Sequence, residues 1–141
     1  MAFDIKAIRD GIYAKFVADS DLKTALGGDS ARRLYKEKAP QNVDSPYAIY
    51  QYIVGSPDPT FTSDGEIMTF QFSIFNKSDS PLGTATIDDV IKKLLALYDD
   101  AALTISGYTS IAMTRGISGY LPPIDDIQMF TVDYELMIEL V

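Results

Sequence analysis

The sequence predicts an α+β fold: a two-layer sandwich with two helices on one face of a mainly antiparallel sheet of about four to five strands. Three observations lead there. Two segments, Ile5–Val17 and Ile87–Tyr98, repeat apolar residues at spacings of three and four, which gathers them on one helix face. Two others, Glu66–Asn76 and Ile127–Leu140, alternate apolar and polar residues, the period-two pattern of a sheet with one buried face. The elements run helix, three strands, helix, two strands, and layering the helices on one side of the sheet buries both apolar sets together.

The first helix starts at Asp4 as N-cap and runs to about Val17, with Ile5, Ile8, Ile12 and Phe16 on one face. Gly11 weakens its interior slightly. A short turn over Asp21–Leu26 is capped by Ser20 and closed by Gly27-Gly28. A short strand covers Arg32–Lys36, and Tyr47–Val54, rich in aromatic and β-branched residues, forms the second, with Pro46 suited to its start. Gly55–Gly65, with two prolines and two glycines, reads as an exposed loop. After the Glu66–Asn76 strand, a turn at Ser78–Gly83 leads into the second helix, where Thr86 and Asp89 make a capping-box-like start. Leu103–Arg115 reads as one irregular strand or two short ones, kinked near Gly107. Gly116–Asp126 reads as a second long loop, and Ile127–Leu140 carries the strongest strand signal in the chain.

A length of 141 residues suits one domain spanning 1–141. Hydrophobic residues at 47% and charged residues at 23% match a globular composition, not a disordered one. No apolar run is long enough to cross a bilayer, and Met1-Ala2-Phe3-Asp4 lacks signal-peptide character, so folding in the cytosol is expected. Cysteine and histidine are absent, which removes thiolate nucleophiles, Cys/His zinc sites and imidazole proton relays. The net charge of -8 is uneven: residues 1–38 carry eight Lys/Arg against six Asp/Glu, whereas 39–141 carry four against fourteen. An acidic chain gains little from the counterion release that drives nucleic-acid binding. The asymmetry serves solubility, or sets a basic edge against the acidic face of a neighbouring copy.

Three acidic pairs, Asp88-Asp89, Asp99-Asp100 and Asp125-Asp126, are the candidates for metal or acid–base chemistry. Each has a local explanation in a helix end or a loop, so neither a catalytic nor a metal site nor a cofactor is assigned. Gly27-Gly28-Asp29-Ser30 follows a helix and lacks a lysine, unlike a phosphate loop. The interface candidates lie elsewhere. Arg32, Arg33, Lys36 and Lys38 form a basic cluster, read as a solvated edge or a contact for an acidic neighbour, with Arg32, Arg33 and Lys36 its interface candidates. Phe61 and Tyr120-Leu121 are large apolar groups on polar loops, which either fold back or anchor a partner. Asp133, Glu135 and Glu139 mark an acidic face of the last strand, open to solvent in a monomer and to a lumen or neighbour in a ring.

The series Asp21-Leu22, Leu26-Gly27-Gly28, Arg33-Leu34-Tyr35, Ala39-Pro40 and Pro46-Tyr47-Ala48-Ile49-Tyr50 resembles the tail-completion, or tail-terminator, proteins of long-tailed bacteriophages and related prophages. The similarity continues loosely through Ile67–Asn76 and Ile87–Tyr98, and beyond Leu103 rests on element order. The resemblance implies a non-enzymatic virion protein of the tail or neck, assembled in the host cytoplasm as a ring, commonly a hexamer. That ring stops tail-tube polymerisation and meets the head connector, while DNA passes through without specific binding. Its partners would be further copies of itself, the tail-tube protein and connector proteins, with no membrane. The neighbouring alternative is another head–tail joining protein, an adaptor or stopper. The alternative from another class is a small enzyme using carboxylates and a divalent metal, which metal-dependent thermal stabilisation would reveal.

Overall fold

Asp4 accepts hydrogen bonds from the backbone N–H groups of Lys6 and Ala7, and the helix α1 (Ile5–Ala18) grows from that cap as its sequence predicts. The computed structural model describes residues 3–57, 65–77 and 85–140. In α1, Ile8, Ile12 and Phe16 are fully buried. The turn that follows, α2 (Ser20–Ala25), is capped by Asp19 and not by Ser20, because the Asp19 carboxylate reaches the Leu22 N–H at 2.9 Å. A further turn, α3 (Gly28–Ala31), has no apolar period to announce it. The second long helix, α4 (Ala85–Tyr98), already includes Thr86, so Thr86 is not its cap. Asp89 pairs instead with Lys93 one turn on, at 2.9 Å.

Among the described residues, six strands form one sheet in the order β1-β2-β3-β6-β5-β4: β1 (Leu34–Lys36), β2 (Tyr47–Pro57), β3 (Gly65–Lys77), β4 (Thr104–Ile105), β5 (Tyr108–Ile124) and β6 (Ile127–Leu140). Of these strand pairs, only β1 and β2 run parallel. The α+β class holds, but the simple two-layer sandwich of four to five strands and two helices does not. The sheet curls as a half-barrel, and the described residues include four helices. Register shifts near Ile53 and at three places in β5 accompany the curl, since each bulge bends its strand and adds twist. Gly55–Pro57 and Gly65 belong to strands and not to a loop, while 58–64 and the turn predicted at 78–83 lie outside the described residues.

Gly116–Asp126 is the larger correction. It is not a loop: β5 continues to Ile124, pairs with Ile127, and returns through a two-residue turn. Asp125 and Asp126 hold φ of 51° and 63°, the left-handed pair of a type I′ hairpin. Pro122 and Pro123 are tolerated because they fall inside the register shift between Leu121 and Ile124. Aspartate tolerates these angles less well than Asn-Gly, so the double substitution Asp125→Asn, Asp126→Gly is expected to stabilise the fold by about 1 kcal/mol. Urea midpoints of the two proteins measure it, and an unchanged or lower midpoint would contradict the turn assignment.

The core lies between the sheet and the helices. Phe72 sits at its centre, 4.7 Å from Tyr98 of α4, 5.7 Å from Tyr134 and 5.8 Å from Tyr50 by ring centroids. These buried hydroxyls are also used: Tyr98 donates to the Ile12 carbonyl at 2.8 Å and Tyr134 to Asp99 at 2.6 Å.

Candidate functional site

Strand alternation divides the sheet into a face packed on the helices and an outer face. Rows read across the outer face change character along the strands. At one end, Tyr47 stacks on Phe75 with centroids 5.0 Å apart. With Met129, Leu121, Pro122 and Ile127 they line an open hollow of about 470 Å³. Toward the other end the row residues are Asp133, Glu135 and Glu139, set opposite Gln71, Thr69 and Gly65. Asp133 accepts a hydrogen bond from the Gln71 side chain at 3.0 Å. One face thus offers an apolar end and an acidic end.

The remaining predicted residues fall in two places. Lys36 stands on β1, at one margin of the sheet, and binds Asp10 at 2.9 Å. Together with Lys6 it holds the Asp10 carboxyl at about 2, Lys36 being the larger influence. Arg32 precedes the strand in a left-handed conformation and pairs with Asp29 at 3.3 Å, and Arg33 donates its Nε–H to the Pro46 carbonyl at 2.8 Å. The basic cluster therefore does two jobs within the chain: it ties loops to β1 and it edges the sheet. Tyr120 and Leu121 stand on β5 near the opposite margin, not on a loop. Tyr120 sets its ring edge-on to Phe130 at 5.3 Å and donates its hydroxyl to Asp88 of α4, yet stays 48% exposed. Leu121 remains 44% exposed. Phe61 lies outside the described residues.

Desolvation first, and the Asp88 carboxylate second, raise the Tyr120 hydroxyl to about 12. Because the folded value lies above the ordinary one, the contact stabilises fully below about pH 10 and is lost as pH rises toward 12. Replacing Asp88 with Asn is expected to bring the Tyr120 phenol transition down in an alkaline absorbance titration. A transition unmoved by the substitution would rule out the pairing.

Sequence reasoning missed Ile117, 82% exposed on β5, and Ile53 and Val54, 50% and 58% exposed on β2. The alternating residues of Ile127–Leu140 after Asp125-Asp126 were the available signal for the first, since a strand that follows a two-residue Asp-Asp turn calls for a partner strand before it. The acidic pairs have structural partners: Asp88 binds Tyr120, Asp99 binds Tyr134 and lies 3.6 Å from Arg115, and Asp125-Asp126 make the turn. Among the described residues, no three acidic side chains converge as metal ligands.

A curled six-stranded sheet with an outer face that is apolar at one end and acidic at the other defines a class of small α+β protein without a converged catalytic or metal site among the described residues. Comparison with known proteins narrows the class. Residues 10–133 match the family model of tail completion protein gp17, and the chain belongs to that family. It is accordingly a structural protein of the bacteriophage tail and a virion component. No curated protein matches it. Among solved structures, a chain of the virion of a native gene transfer agent particle superposes with a TM-score of 0.70 at 16% identity, covering 96% of each chain. A second solved protein superposes with a TM-score of 0.64 at 13% identity over 99% of both chains. At these identities the likeness establishes the fold.

Proposed function

We propose that this protein forms a ring at the head-proximal end of the phage tail tube, stops tube polymerisation there and joins the tail to the head connector. The observation that carries the reading is the tail-completion family match over residues 10–133. The fold shared with a chain of a gene transfer agent virion supports it. So does the surface, since exposed Ile53, Val54, Ile117 and Leu121 suit a protein that works against other subunits. In the ring, the acidic end of the outer face borders the opening, where carboxylates repel DNA phosphates and leave the duplex free to slide.

The test is assembly in the presence of purified tail-tube protein. Adding the chain should halt tube elongation, and negative-stain images should show a ring capping one end only. A protein that stays monomeric and leaves tube ends bare would overturn the reading. Monomers in the absence of tube protein would not, since a ring can form on its target alone.

A further inference from the structure

The two margins of the sheet are stepped, and the steps are complementary. Aligned rows run Leu34–Ala48–Ile74–Phe130–Tyr120, Tyr35–Ile49–Ser73–Thr131–Gly119 and Lys36–Tyr50–Phe72–Val132–Ser118. In these rows one margin is extended by β1, while the other stops at β5. Farther along, the relation reverses. From the row of Met113 onward, the second margin is extended by the 100–105 segment, through Asp100 and Ala101 bonded to Met113 at 2.9 Å and then β4 paired with Tyr108-Thr109. In the corresponding rows the first margin stops at β2, at Gly55–Pro57, with no described strand beyond it. Each margin thus protrudes by one strand where the other is recessed by one.

We propose that these margins pair head to tail between two copies of this chain, β1 of one copy filling the recess beside β5 of the next, and the 100–105 segment filling the recess beside β2. The proposal rests on the ring reading and supplies its subunit joint. Strand directions agree with it. β1 runs with β2, β2 and β6 run together, and β5 opposes β6, so a copy continued without inversion sets β1 antiparallel to the neighbouring β5. The exposed apolar residues agree as well: Ile53 and Val54 lie at the first recess and Ile117 at the second. Unpaired strand edges of this kind are templates for a further strand, and neither recess carries a charged residue in its own strand between Gln51 and Pro57 or between Gly116 and Ile124. Charge favours the same joint. Arg33 and Lys36 lie at or beside β1 on that margin, and the hairpin it would meet ends in Asp125-Asp126. A contact between two different surfaces repeats and closes into a ring when its rotation allows.

The chain has no cysteine, so introduced thiols report on one row alone. Tyr35→Cys and Gly119→Cys place thiols on the same row and the same face of the proposed joint, and a side chain at Gly119 meets nothing within 4 Å. With a short bismaleimide, the double variant should give a ladder of covalent oligomers. A mixture of the two single variants should give dimers, and each single variant alone none. Lys36→Cys with Ser118→Cys, one row along, repeats the test on two exposed positions should the first pair fold poorly. Dimers from a single variant alone would mean a self-complementary contact and overturn the proposal. Oligomers in light scattering with no cross-link from either pair would overturn the joint and leave the ring reading standing. Where the chain is monomeric alone, the same cross-linking is run on tube ends capped in the presence of tail-tube protein, and no cross-link from either pair there would overturn the joint, while the capping of the tube ends decides the ring on its own.

Discussion

Tyr98→Ala is expected to destabilise the protein by about 3–5 kcal/mol, the range for removing a large aromatic side chain from a closed core. Tyr98 is fully buried, its ring lies 4.7 Å from Phe72 and 6.2 Å from Tyr134, and its hydroxyl bonds the Ile12 carbonyl of α1 at 2.8 Å. It therefore joins four elements: α4 that carries it, α1 through the hydrogen bond, and the two central strands, β3 and β6, through the rings. Truncation opens a cavity among residues fixed by strand pairing on both sides of Phe72, which cannot collapse into it. Tyr98→Phe separates the parts, because it keeps the ring and removes only the hydroxyl. That change is expected to cost about 1 kcal/mol, the usual net worth of one hydrogen bond. Burial also pushes the Tyr98 hydroxyl well above the ordinary tyrosine range, so it stays protonated and donating at neutral pH. Urea unfolding of the three proteins at neutral pH measures both steps. If the alanine variant lost no more than the phenylalanine variant, the cluster would not be the centre of the core. Against a total of about 5–15 kcal/mol for an ordinary folded protein, the larger loss would leave little margin for assembly.

How far the sequence foretold this arrangement depends on the scale of the signal. Ile127–Leu140 coincides with β6 to the residue, and Asp4, Ile8, Ile12 and Phe16 take the places their spacing predicts. These elements have one buried and one exposed face, so their periodicity survives in the sequence. β5 failed for the opposite reason. Its residues from Gly116 to Ile124 lie at a margin, exposed on both faces for much of their length, so no alternation marks them, and their glycines and prolines look like loop chemistry. What makes them a strand is the partner, β6, whose own pattern is unambiguous. The same holds for the candidate site. Lys36, Tyr120 and Leu121 were visible as residue types, but their positions at opposite margins of one sheet follow from the strand order, which no local pattern encodes. Nor could spacing show that Tyr120 reaches Asp88, 32 residues away.

Gly11 shows the same limit with a sign attached. By helix propensity alone, Gly11→Ala in the middle of α1 should stabilise the protein by about 1 kcal/mol, since alanine loses less backbone freedom on folding. The packing argues for the reverse. A Cβ at position 11 would stand 2.8 Å from Ile105 Cγ1 and 3.0 Å from the Thr104 carbonyl oxygen, and both neighbours belong to β4. Neither is the loose end of a long side chain. Ile105 is buried, and Thr104 is held in its ladder opposite Thr109. Glycine at this position is therefore the condition for α1 to lie directly on β4. We predict that Gly11→Ala destabilises the protein by a net of about 1–3 kcal/mol, the cost of overpacking outweighing the propensity gain. The damage should also be local. β4 has two residues and one ladder partner, so it is the element free to yield, and amide exchange should accelerate around Thr104 and Ile105 before it does so in β3 or β6. A variant with a raised urea midpoint, or with exchange unchanged at β4, would contradict this. Since the 100–105 segment also fills the recess beside β2 in the proposed subunit joint, the same substitution should weaken cross-linking between copies.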